Sequence, residues 1–136
     1  MSDRVLLGMA SFPAIIAVTA EEQAQGLMYR PWPPPVMAFP SEPGIKKFWM
    51  RNTPSPLDIV FCAQGTVRDI MEGEPHSTTL VGPDYPVDLV VELPRGWAEN
   101  HGIRPGDCVS LSLSNHTRIR LGLCHDGKAK YGTRTI

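Results

Sequence analysis

The chain has 136 residues, 42% of them hydrophobic and 20% charged, the size and composition of one ordinary soluble domain with a real core. Its formal net charge of −1 excludes a general pull toward nucleic acid or anionic membrane surfaces. No apolar run approaches the roughly 20 residues that a membrane-spanning helix needs, and 14 prolines with 12 glycines, spread along the chain, point to many short elements and tight corners.

Residues 4–10 and 14–18 read as two short strands joined at Ser11-Phe12-Pro13. Val18-Thr19-Ala20 would pass as a cleavage site after this apolar stretch. Asp3 offsets Arg4, however, and Gly8, Ser11 and Pro13 interrupt the apolar run, so the expectation is a chain that starts at its first strand and is not exported. Thr19-Ala20-Glu21-Glu22 has the spacing of a capping box, predicting a short helix over about 20–25 that Gly26 ends. The run Pro31-Trp32-Pro33-Pro34-Pro35 must be extended. It reads as a stiff surface loop pinned by Trp32, with a proline-rich ligand for a partner as the other reading.

Strands are expected over 36–39 and 46–50, separated by Pro40-Ser41-Glu42-Pro43-Gly44. Between 48 and 61, two apolar runs flank a polar corner that carries Pro54 and Pro56. Each proline pushes its predecessor toward extended backbone, which predicts strand, rigid corner, strand, with Arg51, Asn52 and Asp58 close together. The second strand, 57–62, alternates Leu57, Ile59 and Phe61 against Asp58, Val60 and Cys62, one face better buried than the other. Strand 66–71 follows a turn at Gln64-Gly65. Residues 72–86 are the longest irregular stretch and a candidate functional loop, and strand 87–93 places Leu89, Val91 and Leu93 on one face. A helical turn over about 97–101 and a strand over 108–113 complete the body.

The C-terminus reads as a β-hairpin. A three-residue loop at His125-Asp126-Gly127 would pair Leu123 with Ala129 and Leu121 with Tyr131, leaving Arg118, Arg120, Lys128, Lys130 and Arg134 on the other face. Residues 114–136 then carry +4 on a body of −5. This asymmetry suits docking either on the chain's own acidic body or on another molecule.

Cys62, Cys108 and Cys124 lie far apart in apolar runs, which suggests free thiols in a reducing compartment and neither a disulfide framework nor a zinc site. His76, His101, His116 and His125 show no ligand spacing, and neither a phosphate-binding glycine loop nor a serine-hydrolase elbow is present. The best polar constellation is the prolyl corner. Asp58, inside an apolar run, needs a partner, and Arg30 and Arg51 are the candidates. With Trp49 as a stacking wall and Asn52 beside it, the corner reads either as an arginine-lined anion or sugar pocket or as a buried ion pair holding the turn.

The motifs TAEEQAQGLMYR at 19–30, FWMRNTPSPLDIVF at 48–61 and VVELPRGWAENHGIRPGD at 90–107 resemble the uncharacterised bacterial and archaeal family called domain of unknown function 192. The resemblance covers roughly residues 14–110 and implies a small β-sandwich of jelly-roll type, mainly β, with one or two short helices. It places Gly26, Arg30, Trp49, Met50, Asn52, Thr53, Pro56, Asp58, Gly96 and Gly106 on signature positions, and it lends no catalytic residues. Many members of that family carry an export signal or lipid anchor, and the basic extension after about residue 114 lies beyond the matching part.

The expectation is therefore a β-sandwich domain over 1–113 with a basic hairpin over 114–136 packed on it, cytoplasmic or particle-associated. Its expected function is non-enzymatic, without cofactor, metal or catalytic residue: attachment to a larger protein assembly, such as a virion that it decorates, through Arg118, Arg120, Lys128, Lys130 and Arg134. The alternative is a small-ligand or carbohydrate binder using Arg30, Trp49, Arg51, Asn52 and Asp58.

Overall fold

The computed structural model describes residues 3–114 and the backbone of 118–120. Eight strands and two short helices follow in the order β1 (Arg4–Leu7), β2 (Ala10–Ile16), α1 (Ala20–Gln25), β3 (Val36–Gly44), β4 (Leu57–Ala63), β5 (Thr66–Gly73), β6 (Val87–Pro94), α2 (Trp97–Asn100), β7 (Val109–Ser112) and β8 (Arg118–Arg120). The strands line up as β5-β4-β6-β3-β2-β1-β7-β8, antiparallel throughout except for β2 against β3. Strand twist curls this sheet until β5, at one end, reaches the approach to β7. Val67 N–H donates to the Asp107 carbonyl at 2.8 Å, and Gly106 N–H to the Val67 carbonyl at 2.7 Å, joining the start of β5 to the approach to β7.

The chain is mainly β, as its pattern predicts, but three boundaries move. The break expected at Ser11-Phe12-Pro13 falls instead at Gly8, whose φ of 60° makes the reversal between β1 and β2. Pro13 stays inside β2, where the strand changes neighbours: residues up to Pro13 pair with β1, and Ala14 onward pairs with β3. A missing N–H is tolerated at such a switch. β3 continues through Pro40 to Gly44 by a register shift. Residues 46–50 are not a strand of the sheet. They run extended against the 77–81 segment, with Phe48 and Val81 exchanging backbone hydrogen bonds and Met50 N–H donating to the Ser77 carbonyl at 2.8 Å. The irregular stretch after β5 thus holds down the chain before the prolyl corner.

Two apolar clusters share the sheet. Inside the curl lie Val5, Leu7, Phe12, Val60, Leu89, Val91, Leu93 and Leu111. Outside it, Leu27, Met37, Phe39, Met50, Ile59, Phe61 and Val90 form the second cluster, to which the segments around residues 27 and 48 contribute. β4 is therefore buried on both faces, where its alternation predicts one better-buried face, because loops remote in sequence cover the second. Of the expected hairpin, β8 pairs antiparallel with β7, while Lys128, Lys130 and Arg134 and the loop at 125–127 lie outside the described residues. Among the described residues no helix is long and apolar enough to cross a membrane.

Candidate functional site

The prolyl corner is tied by backbone. Asn52 takes a left-handed φ of 55° and Tyr29 one of 63°, and Tyr29 N–H donates to the Asn52 carbonyl at 2.8 Å. The buried Ser55 hydroxyl donates to the Arg30 carbonyl at 3.0 Å, and the Thr53 carbonyl accepts from His76 N–H at 3.0 Å. Arg30 and Arg51 are exposed, and the guanidinium of Arg51 stands 5.5 Å from the centre of the Trp49 ring.

Asp58 finds a different partner from the two arginines expected of it. Its Oδ2 accepts from the N–H groups of Gly96 and Ala98, at 3.0 and 3.1 Å, as α2 begins. Arg95 lies 3.9 Å from Oδ1 and is itself locked, donating to the carbonyls of Leu57 at 3.1 Å and Gly73 at 2.8 Å, with Glu74 at 3.2 Å and Glu72 at 3.5 Å. The Nε and Nη2 groups of Arg95 are thus spent on the protein itself. Asp58 is a structural bracket between β4 and the loop after β6.

The sequence residues therefore separate. Asp58 borders one open cleft, with Glu72, Arg95 and Gly96, while Trp49 lines another. Arg30, Arg51, Asn52 and Asp58 do not line the Trp49 cleft.

That second cleft, about 420 Å³, opens between α1 with Gly26, Leu27 and Met28 on one side and residues 45–49 with Thr53 on the other. Phe39 and Phe48 meet edge to face at 5.2 Å in its wall, and Trp49 stands at the rim, 42% exposed. α1 is placed by the expected capping box, the Thr19 hydroxyl accepting from Glu22 N–H at 3.0 Å and Glu22 accepting in return from Thr19 N–H at 2.9 Å. Gln23 fastens the helix to the sheet by donating to the carbonyls of Ala17 and Pro40, both at 3.0 Å. Gly26 ends the helix at φ 51°, where an added Cβ would also touch the Phe39 ring.

On the cleft floor is Glu92, a residue the sequence reading passes over. β6 runs between β3 and β4, so Glu92 sits opposite both Met37 and Ile59, 4% exposed. Burial alone pushes its carboxyl up to about 8. Among the described residues no hydrogen bond or ion pair reaches it. The signal was present: like Asp58, Glu92 is an acid within an apolar strand run, on the face that Val90 occupies.

The fold and cleft define a small mainly-β module with a concave, partly apolar site and one buried acid at its base. The chain belongs to the domain of unknown function 192 family, described as an uncharacterized ACR, whose model matches residues 5–111. It is similar to a crystal structure of a protein of unknown function from Novosphingobium aromaticivorans DSM 12444, at 35% identity and TM-score 0.72 over 78% of this chain and 82% of that one. A candidate transcription regulator from Sinorhizobium meliloti 1021 is similar at 34% identity and TM-score 0.71, over 79% and 89%. No curated protein matches the chain.

Proposed function

We propose that the protein is a non-enzymatic binding module that holds a small molecule in the cleft between α1 and residues 45–49. One observation carries this reading: a largely buried carboxyl, without a hydrogen-bond or ion-pair partner among the described residues, forms the floor of an open, aromatic-walled cleft of ligand size. A buried polar group left unpaired costs about 1–3 kcal/mol, which a ligand that completes its hydrogen bonds would return. Of the residues the sequence puts forward for ligand binding, Trp49 keeps this role as a rim wall. Arg51 serves indirectly, through its contact with the Trp49 ring. Arg30, Asn52 and Asp58 support the fold around the cleft in this reading.

The test is an NMR screen of the whole chain against amines, sugars and organic anions. Binders are expected to shift the Trp49 indole and the amides of Gly26 and Thr53, and Trp49→Ala is expected to weaken them while the amide spectrum stays folded. A library that moves none of these resonances refutes the reading.

Attachment to a larger assembly remains a second proposal, resting on the +4 charge of residues 114–136. A jelly-roll sandwich is the finer description of the curled sheet under which this use has its analogues in capsids and lectins. The description carried by the Sinorhizobium protein stays with that protein; a net charge of −1 gives this chain no general attraction to nucleic acid.

A further inference from the structure

Glu92 is largely buried, reached only through the cleft, and among the described residues it has no counter-ion; its surroundings say what is missing. Met37 and Ile59, its cross-strand neighbours on β3 and β4, are apolar. The other charged side chains lining the cleft are Lys46 and Lys47. Lys47 is engaged, its ammonium donating to Asp84 at 2.7 Å and to the Gly82 carbonyl at 2.6 Å. The deep walls are Leu27, Phe39 and Phe48, and the rim ring, Trp49, already holds one guanidinium on its face.

Resting on the binding reading above, we infer that the cleft takes a small organic cation, a primary ammonium or guanidinium on a short apolar stem, with its head on Glu92 and its stem against Leu27, Phe39 and Phe48. An anion could meet Glu92 only while that carboxyl keeps its proton. A neutral polyol could donate hydrogen bonds but would bring no charge to offset the carboxylate. A cation both supplies N–H donors and favours the carboxylate, and aromatic faces line its path.

The step balances as a proton exchange. Below its raised pKa the Glu92 carboxyl is neutral, so the cation pairs with the carboxylate and one proton leaves to solvent. Burial sets that pKa near 8. Affinity for a guanidinium therefore rises with pH, by up to about tenfold per unit, and levels off above pH 8.

The decisive experiment titrates the full chain, by NMR from pH 6 to 9, with agmatine, n-butylamine and Nα-acetyl-lysine amide, against 1-butanol, glucose and butyrate. The three cations are expected to shift the Trp49 indole, the uncharged and anionic compounds to leave it unmoved. Glu92→Gln, close to isosteric, is expected to weaken the cations at least about tenfold and to abolish the pH slope. Acetyl-lysine amide binding as well as the free amines supports the inference with a peptide side chain as the source; binding of the free amines alone supports it with a free metabolite. Glucose or butyrate binding while the cations do not overturns the inference and leaves the cleft as a ligand site. Silence from all six overturns the inference, and silence across the broader screen as well overturns the binding reading itself.

Discussion

At the residue scale, Asp58 accepts from two N–H groups at the start of α2 and lies beside a guanidinium fixed by two backbone carbonyls. Asp58→Ala would leave these donors buried and unpaired. A loss of about 2–4 kcal/mol in urea unfolding is expected, without loss of binding in the cleft over Glu92. Glu92 makes the opposite prediction. Its folded pKa, near 8, is above the 4.5 of an ordinary glutamate, so between those values the native state holds a proton that the unfolded chain has lost. Stability therefore falls as pH rises from about 4.5 to 8 and flattens beyond. Glu92→Gln should match the wild type in Tm near pH 4.5, exceed it at pH 8, and lack the decline between; a wild type whose Tm rises over this range through a Glu92 contribution would contradict the assignment.

At the scale of elements, the cleft depends on two local devices. Thr19 closes the capping box of α1, and Thr19→Ala is expected to cost about 1 kcal/mol in chemical unfolding. The same change keeps the backbone amides of residues 19 and 18, the main groups holding the Glu22 carboxyl below its usual value. In an NMR titration that carboxyl is therefore expected to stay lowered and to rise only by the smaller share of the lost hydroxyl. Gly82 is the other device. Its φ is 156°, and a Cβ there would run into the Lys46 carbonyl oxygen, where the 77–81 segment presses on residues 46–50. Gly82→Ala should cost at least about 2 kcal/mol and broaden the Phe48 and Trp49 signals, because backbone cannot yield as a flexible side chain would.

For the whole molecule, the family match ends at residue 111 and the curl closes through the contacts of Val67 with Gly106 and Asp107. The described members of both apolar clusters all lie between residues 5 and 113. Removing those residues should leave a cooperatively unfolding domain with an intact cleft, by circular dichroism and by the same ligand shifts. If attachment is the role of that segment, the shortened chain loses its partner in a pull-down from the native source; a partner retained would refute attachment through it.

The amino-acid sequence by itself determined the features whose causes lie within a few residues. Thr19 and Glu22 are one helical turn apart, so their mutual cap was legible, as was Gly26 ending the helix. The alternation of Leu89, Val91 and Leu93 showed which face of β6 meets the inner core. It was also legible that Asp58, set among apolar neighbours, must be partnered. Only the tertiary structure decided that the partners would be Gly96, Ala98 and Arg95, brought up from the far end of β6, because nothing local ranks one arginine above another. It alone decided, too, that β4 is covered on both faces and that Glu92 has no such partner among the described residues. Those outcomes depend on loops folding back over the outside of the sheet, and burial by remote segments leaves no periodic mark on the strand being covered.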